Sequence, residues 1–138
     1  MVAVAVAIVG CAPREPSPSN LRVELRSDKV LYVLPDDFSG TLTYINKSCW
    51  KVEKTFGSLG RYHMDFYDST GTAQLRLFPN HECQALSYLK LGPFETYVDT
   101  LRLALHYGYD SLPVGTFRVR AWVEDHEDIY SETMIEVR

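Results

Sequence analysis

Leu21-Arg22-Val23-Glu24-Leu25-Arg26 alternates an apolar with a charged residue at every step. Successive side chains of an extended strand point to opposite faces, so this stretch buries leucine and valine on one face and shows arginine and glutamate to water on the other. The same period of two governs the chain downstream. A second run, 29–34, is ended by Pro35 and the turn-forming Asp36, Asp37, Ser39 and Gly40. Further runs follow at 41–46, 50–56, 62–67, 73–78, 85–91, 96–105, 115–124 and 130–138, with turn residues between them. Asp68-Ser69-Thr70-Gly71 has a hairpin-turn composition, and the acidic stretch Asp125 to Asp128 is read as the tip of the last hairpin. Residues 97–105 also fit a helical spacing through Val98, Leu101 and Leu105, but Thr96, Val98, Thr100 and the neighbouring aromatics favour strand. The pattern predicts a nearly all-β domain over 21–138, an antiparallel β-sandwich of about eight strands.

Composition agrees with one packed domain. Hydrophobic residues make up 46% of the chain and charged residues 23%, enough apolar side chain for a normal core at this length. The net charge is −4. Basic residues alternate along strands instead of clustering, so no nucleic acid is expected as partner, since phosphate binding depends on clustered lysine and arginine.

The start of the chain has another character. Val2 to Val9 is a run of alanine, valine and isoleucine closed by Gly10-Cys11, and Ala12 to Asn20 holds Pro13, Pro16 and Pro18. The run is too short to span a bilayer, which takes roughly 20 residues as a helix. It resembles a bacterial lipoprotein signal, although the only positive charge before it is the amino group of Met1. The resemblance implies a signal peptide over 1–10, a lipid on Cys11, a Pro/Ser-rich tether over 11–20 and a working domain over 21–138. The localisation it implies is the bacterial cell envelope, with the domain membrane-anchored and facing outside the cytoplasm. A tether stiffened by proline reaches up to ~28 Å.

Three cysteines in an exported chain leave one unpaired unless one has another use. Lipidation of Cys11 would remove it, and an oxidising compartment would let Cys49 pair with Cys83. Strands running up and down without interruption would instead place these two at opposite ends of the sheet, beyond the ~4.4–6.8 Å between Cα atoms that a disulfide needs. A Cys49–Cys83 disulfide and two buried thiols both stay open.

The order of turn motifs adds a family resemblance. The chain reads Asn46-Lys47-Ser48 after an early strand, Gly57-Ser58-Leu59-Gly60-Arg61-Tyr62, and Asp65-Phe66-Tyr67-Asp68. Later it reads Leu89-Lys90-Leu91-Gly92-Pro93-Phe94-Glu95 and Leu112-Pro113-Val114-Gly115-Thr116-Phe117. This order resembles the immunoglobulin-like sandwiches of the bacterial intracellular proteinase inhibitors and the related domains of many bacterial lipoproteins. The sequence departs from their pattern at Gly92-Pro93-Phe94-Glu95 and by the extra Val114. The resemblance implies an immunoglobulin-like fold and, for the inhibitor family, a proteinase held off by an exposed loop. Gly57 to Arg61 is then the candidate inhibitory loop, with Leu59 or Arg61 entering a specificity pocket; an ordinary connection is the simpler reading of it.

Few residues suggest chemistry. His63, His81, His106 and His126 share no spacing, and His81-Glu82-Cys83 places ligand types on neighbouring positions that point apart on a strand. Asp125, Glu127 and Asp128 lack the glycine and spacing of a calcium loop. Cys83 has no identifiable base and oxyanion donor, and no phosphate loop occurs. No catalytic residue, metal site or cofactor is expected, and the chain reads as no enzyme. Two functions follow: a lipid-anchored module with a protein partner, meeting it through loops or a sheet edge, or a proteinase inhibitor. Oligomeric state is not legible.

Overall fold

The computed structural model describes residues 20–56, 60–77, 87–102 and 112–138. The signal at 1–10 and the tether residues 11–19 lie outside the described residues, as do 78, 85–86 and 103–105 of the predicted strands.

Ten strands occur among the described residues: β1 (Leu21–Ser27), β2 (Leu31–Tyr32), β3 (Ser39–Asn46), β4 (Val52–Phe56), β5 (Tyr62–Tyr67), β6 (Ala73–Leu77), β7 (Ser87–Leu91), β8 (Thr96–Arg102), β9 (Gly115–Val123) and β10 (His126–Val137). They form a three-stranded sheet in the order β1-β3-β8, a five-stranded sheet in the order β2-β10-β9-β5-β6, and the pair β4-β7. All pairings are antiparallel except that of β2 with β10. The fold is an all-β, immunoglobulin-like sandwich; the alternation predicts the all-β sandwich, and the turn-motif resemblance implies its immunoglobulin-like form.

The alternation sets the core. Leu21, Val23 and Leu25 of β1 are buried while Arg22 and Arg26 are exposed, and Leu42 and Tyr44 lie inward on β3. They pack in one cluster with Met64 and Phe66 of β5, Phe117, Val119, Ala121 and Val123 of β9, and Ile135 and Val137 of β10. Each leucine, valine, isoleucine, phenylalanine or methionine among them contributes roughly 1.5–3 kcal/mol by leaving water. Phe38 stands edge-on to Phe66 at 5.3 Å. Tyr32 is fully buried, and its hydroxyl stays satisfied by donating to the Ser39 carbonyl at 2.9 Å.

The Asn46-Lys47-Ser48 motif is a corner. Asn46 is fully buried, and its side-chain amide reaches the carbonyls of Trp50 (2.5 Å), Gly92 (2.9 Å) and Leu91 (3.3 Å). Its Oδ1 accepts from Ser48 N and Oγ. Across the bend Asn46 N donates to the Glu95 carbonyl and Phe94 N to the Ser48 carbonyl. The β3–β8 pairing thus hands over to the β4–β7 pairing around one asparagine.

Two expectations change in detail. The second run shrinks to the two residues of β2, followed by a cis Leu34–Pro35 bond. The last hairpin is tighter than the acidic stretch suggested: Asp125, at φ 66°, turns the chain, and β10 already begins at His126, with a bulge between His126 and Tyr130. Aspartate tolerates this left-handed conformation better than most side chains. Glu127 and Asp128 therefore belong to the bulged start of a strand and not to a hairpin tip.

Candidate functional site

Residues of β9 that face away from the core are Thr116, Arg118, Arg120 and Trp122, and the register aligns them with outward residues on both sides. One row across the sheet is Tyr130, Trp122 and His63. The next is Glu132, Arg120, Asp65 and Arg76. A third is Met134, Arg118 and Tyr67. Side chains within a row stand about 5 Å apart, close enough to interlock.

They do interlock. His63 stacks on Trp122 with the rings 5.3 Å apart and 6° from parallel. The Arg120 guanidinium lies 3.8 Å over Tyr130, and that of Arg118 5.0 Å over Tyr67. Glu132 Oε1 is 4.0 Å from both Arg118 Nη1 and Arg120 Nη1. Asp65, only 3% exposed, accepts a 2.8 Å hydrogen bond from the Tyr67 hydroxyl and has Arg76 Nε at 3.9 Å. Partial burial and the bond to Asp65 raise the Tyr67 pKa. The face still offers apolar surface, with Tyr130 48% and Met134 53% exposed. At its lower end a shallow groove of about 450 Å³ runs between the Asp68 turn and Thr116, Arg118 and Met134. Arginine, tyrosine, tryptophan and methionine in one partly exposed patch is the composition that marks the centres of protein interfaces.

In the sequence His63 stands only among four histidines without shared spacing, and Asp65 and Tyr67 only in a turn motif; strand tyrosines are ordinarily read as cross-strand pairs and core. That reading fits Tyr32 and Tyr44, both fully buried. The signal for the others was present: in the Gly115–Val123 strand Trp122 occupies the solvent phase with Arg118 and Arg120.

The sequence candidates are dispersed. Leu59, with Gly57 and Ser58, lies outside the described residues. Arg61 is held: its Nη1 pairs with Asp99 Oδ1 at 2.9 Å, and its guanidinium lies 4.8 Å over the Tyr97 ring. Asp99 points inward from edge strand β8, so this pair joins the two sheets along their open side. Burial foremost, and the Asp99 charge beside it, push the Tyr62 pKa up to about 12 and that of Tyr44 higher still. Arg61 is therefore a strut whose side chain is mostly covered. Cys49 is disulfide-bonded. Its partner lies outside the described residues, where both Cys11 and Cys83 fall. His81 and His106 lie outside them too. Among the described residues no three His, Cys, Asp or Glu side chains converge as a metal site would require.

No family model and no curated protein matches the chain. Solved structures do. A CARDB domain from Pyrococcus furiosus, solved in complex with di-metal ions, superposes with a TM-score of 0.51 at 16% identity, over 86% of this chain and 87% of that one. The alkylpurine DNA glycosylase AlkC of Pseudomonas fluorescens, bound to DNA containing an abasic site analogue, gives 0.54 at 15% identity, over 86% of this chain and 30% of that one. At such identity the likeness carries the immunoglobulin-like fold alone.

Proposed function

We propose that this chain is a non-enzymatic docking module, anchored to the bacterial envelope through a lipid on Cys11, that binds a protein partner with the outer face of its five-stranded sheet. The observation that carries the reading is the partly exposed set Tyr67, Trp122, Tyr130, Met134, Arg118 and Arg120 on that face. These residue types dominate interface energetics. Cation–π contacts already fix the two arginines in place, so little side-chain freedom remains to be lost on binding. The anchor rests on the lipoprotein-like start of the sequence. Under it the geometry is coherent. Lys47 N donates to the Asn20 carbonyl, so the tether joins at the Asn46 corner. β1 leads from there to Ser27, and β2 then meets the last residues of β10. The Met134 end of the face thus points away from the anchor. A Cys49–Cys83 bridge would suit the same compartment.

The inhibitor alternative rests on turn residues of the sequence alone, and Arg61 would have to leave Asp99 and Tyr97 to enter a proteinase pocket. Slowing of an extracellular serine proteinase by excess protein, abolished by Arg61→Ala, would restore it.

The docking reading is tested by cross-linking in the envelope of the native host, comparing wild type with Tyr130→Ala/Met134→Ala. Loss of one cross-linked partner in the variant, at unchanged expression, supports it. An identical cross-link pattern contradicts it. Radiolabelled palmitate should enter the wild type and not Cys11→Ala.

A further inference from the structure

Resting on that docking role, we infer that the partner presents carboxylates, flanked by apolar side chains, to the arginines of this face. The charge a partner would meet is unbalanced. Asp65 is covered, Glu136 at the Met134 end is engaged by Arg138 at 2.8 Å, and Asp68 beside the groove is bonded by Thr70 and Gln74. The remaining accessible ionic groups are Arg76, Arg118, Arg120 and Glu132, with side chains 59%, 45%, 26% and 31% exposed. Three guanidiniums therefore face solvent with one carboxylate not already engaged elsewhere, in a chain of net charge −4.

That carboxylate is also poorly used. A single Glu132 oxygen serves Arg118 and Arg120, each at 4.0 Å, the outer limit of an ion pair. Among the described residues Arg118 and Arg76 reach their carboxylates at 4.0 and 3.9 Å, beyond hydrogen-bond distance, and Arg120 Nε is buried without a partner. Arg120 Nη2 donates a long bond to the Glu127 carbonyl at 3.4 Å. A guanidinium carries five donors in a planar fork matched to a carboxylate. Here the forks are oriented by Tyr67 and Tyr130 and left largely unfilled. Tyr130 and Met134 supply the apolar flank.

The test is a random dodecapeptide display selection against the immobilised full-length chain. Selected peptides should be rich in Asp and Glu beside Leu, Tyr or Phe, and should bind less tightly as salt rises. Arg118→Glu/Arg120→Glu should weaken them about tenfold or more, while Arg118→Lys/Arg120→Lys should lose less, which separates recognition from misfolding. Peptides lost in Tyr130→Ala/Met134→Ala yet free of acidic residues would overturn the inference and leave the docking role standing. Peptides indifferent to both pairs of substitutions, or no selected peptides, would count against both. Binding to phosphatidylglycerol vesicles that Arg118→Glu/Arg120→Glu abolishes, without acidic peptides, would overturn it in favour of a lipid surface.

Discussion

Asn46 shows how one polar side chain can define a bend in a sheet. Its amide and carbonyl engage Trp50, Leu91, Gly92 and Ser48 with no exposure to water. Asn46→Ala would leave buried carbonyls unpaired, and each costs about 1–3 kcal/mol. Chemical denaturation should therefore show a loss of at least about 2 kcal/mol. Asp68 makes a prediction about acid. Hydrogen bonds from Thr70 and Gln74 hold its pKa down to about 2, from an ordinary 3.8. A carboxylate with a depressed folded-state pKa stabilises the fold above its unfolded pKa and loses that contribution as pH falls through the folded value. The melting temperature of wild type should thus fall more between pH 5 and 2 than that of Asp68→Asn; equal slopes would show that the turn bonds do not depend on the charge. The structural roles of Asn46 and Asp68 were legible from sequence because both residue types bond nearby backbone. The role of Trp122 was not legible there, because an aromatic residue in a strand fits core packing as readily as an exposed face.

At the scale of elements, alternation located most strands, and their ends were set by features alternation does not encode. β3 and β4 separate where Asn46 turns the backbone, and the last hairpin closes at Asp125, within what read as a broader acidic tip. Cross-sheet ties were equally hidden, since Arg61 and Asp99 lie 38 positions apart. This tie also turns a charge inward from edge strand β8, a device that discourages unwanted strand pairing. Removing either member leaves the other partly buried and unpaired. Arg61→Ala and Asp99→Ala should each cost about 2 kcal/mol, with a double-mutant coupling of about 1 kcal/mol. Additive losses would show that the two residues act separately. In the β5–β6 turn, Gly71 has φ 82° and open space around its Cα. Gly71→Ala should cost about 1 kcal/mol through backbone conformation alone, read as a lowered denaturation midpoint.

The whole molecule is asymmetric in a way composition cannot reveal. The outer face of β1-β3-β8 carries mostly charged and hydroxyl side chains such as Arg22, Glu24, Thr41 and Thr43, with Ile45 and Val98 among them and no arginine–aromatic pair among the described residues there. The outer face of the five-stranded sheet concentrates aromatic rings, methionine and arginine. Only the register assembles residues from β5, β9 and β10 into that patch, so three separately unremarkable strands gain meaning together. The most direct measurement is site-specific photo-cross-linking in the native envelope, with the photoreactive residue placed in turn at Thr116, Tyr130 and Met134 on this face and at Thr43 and Val98 on the other. The account predicts one common partner cross-linked from the first three positions and not from the last two. Cross-links to that partner from Thr43 and Val98 alone would contradict it.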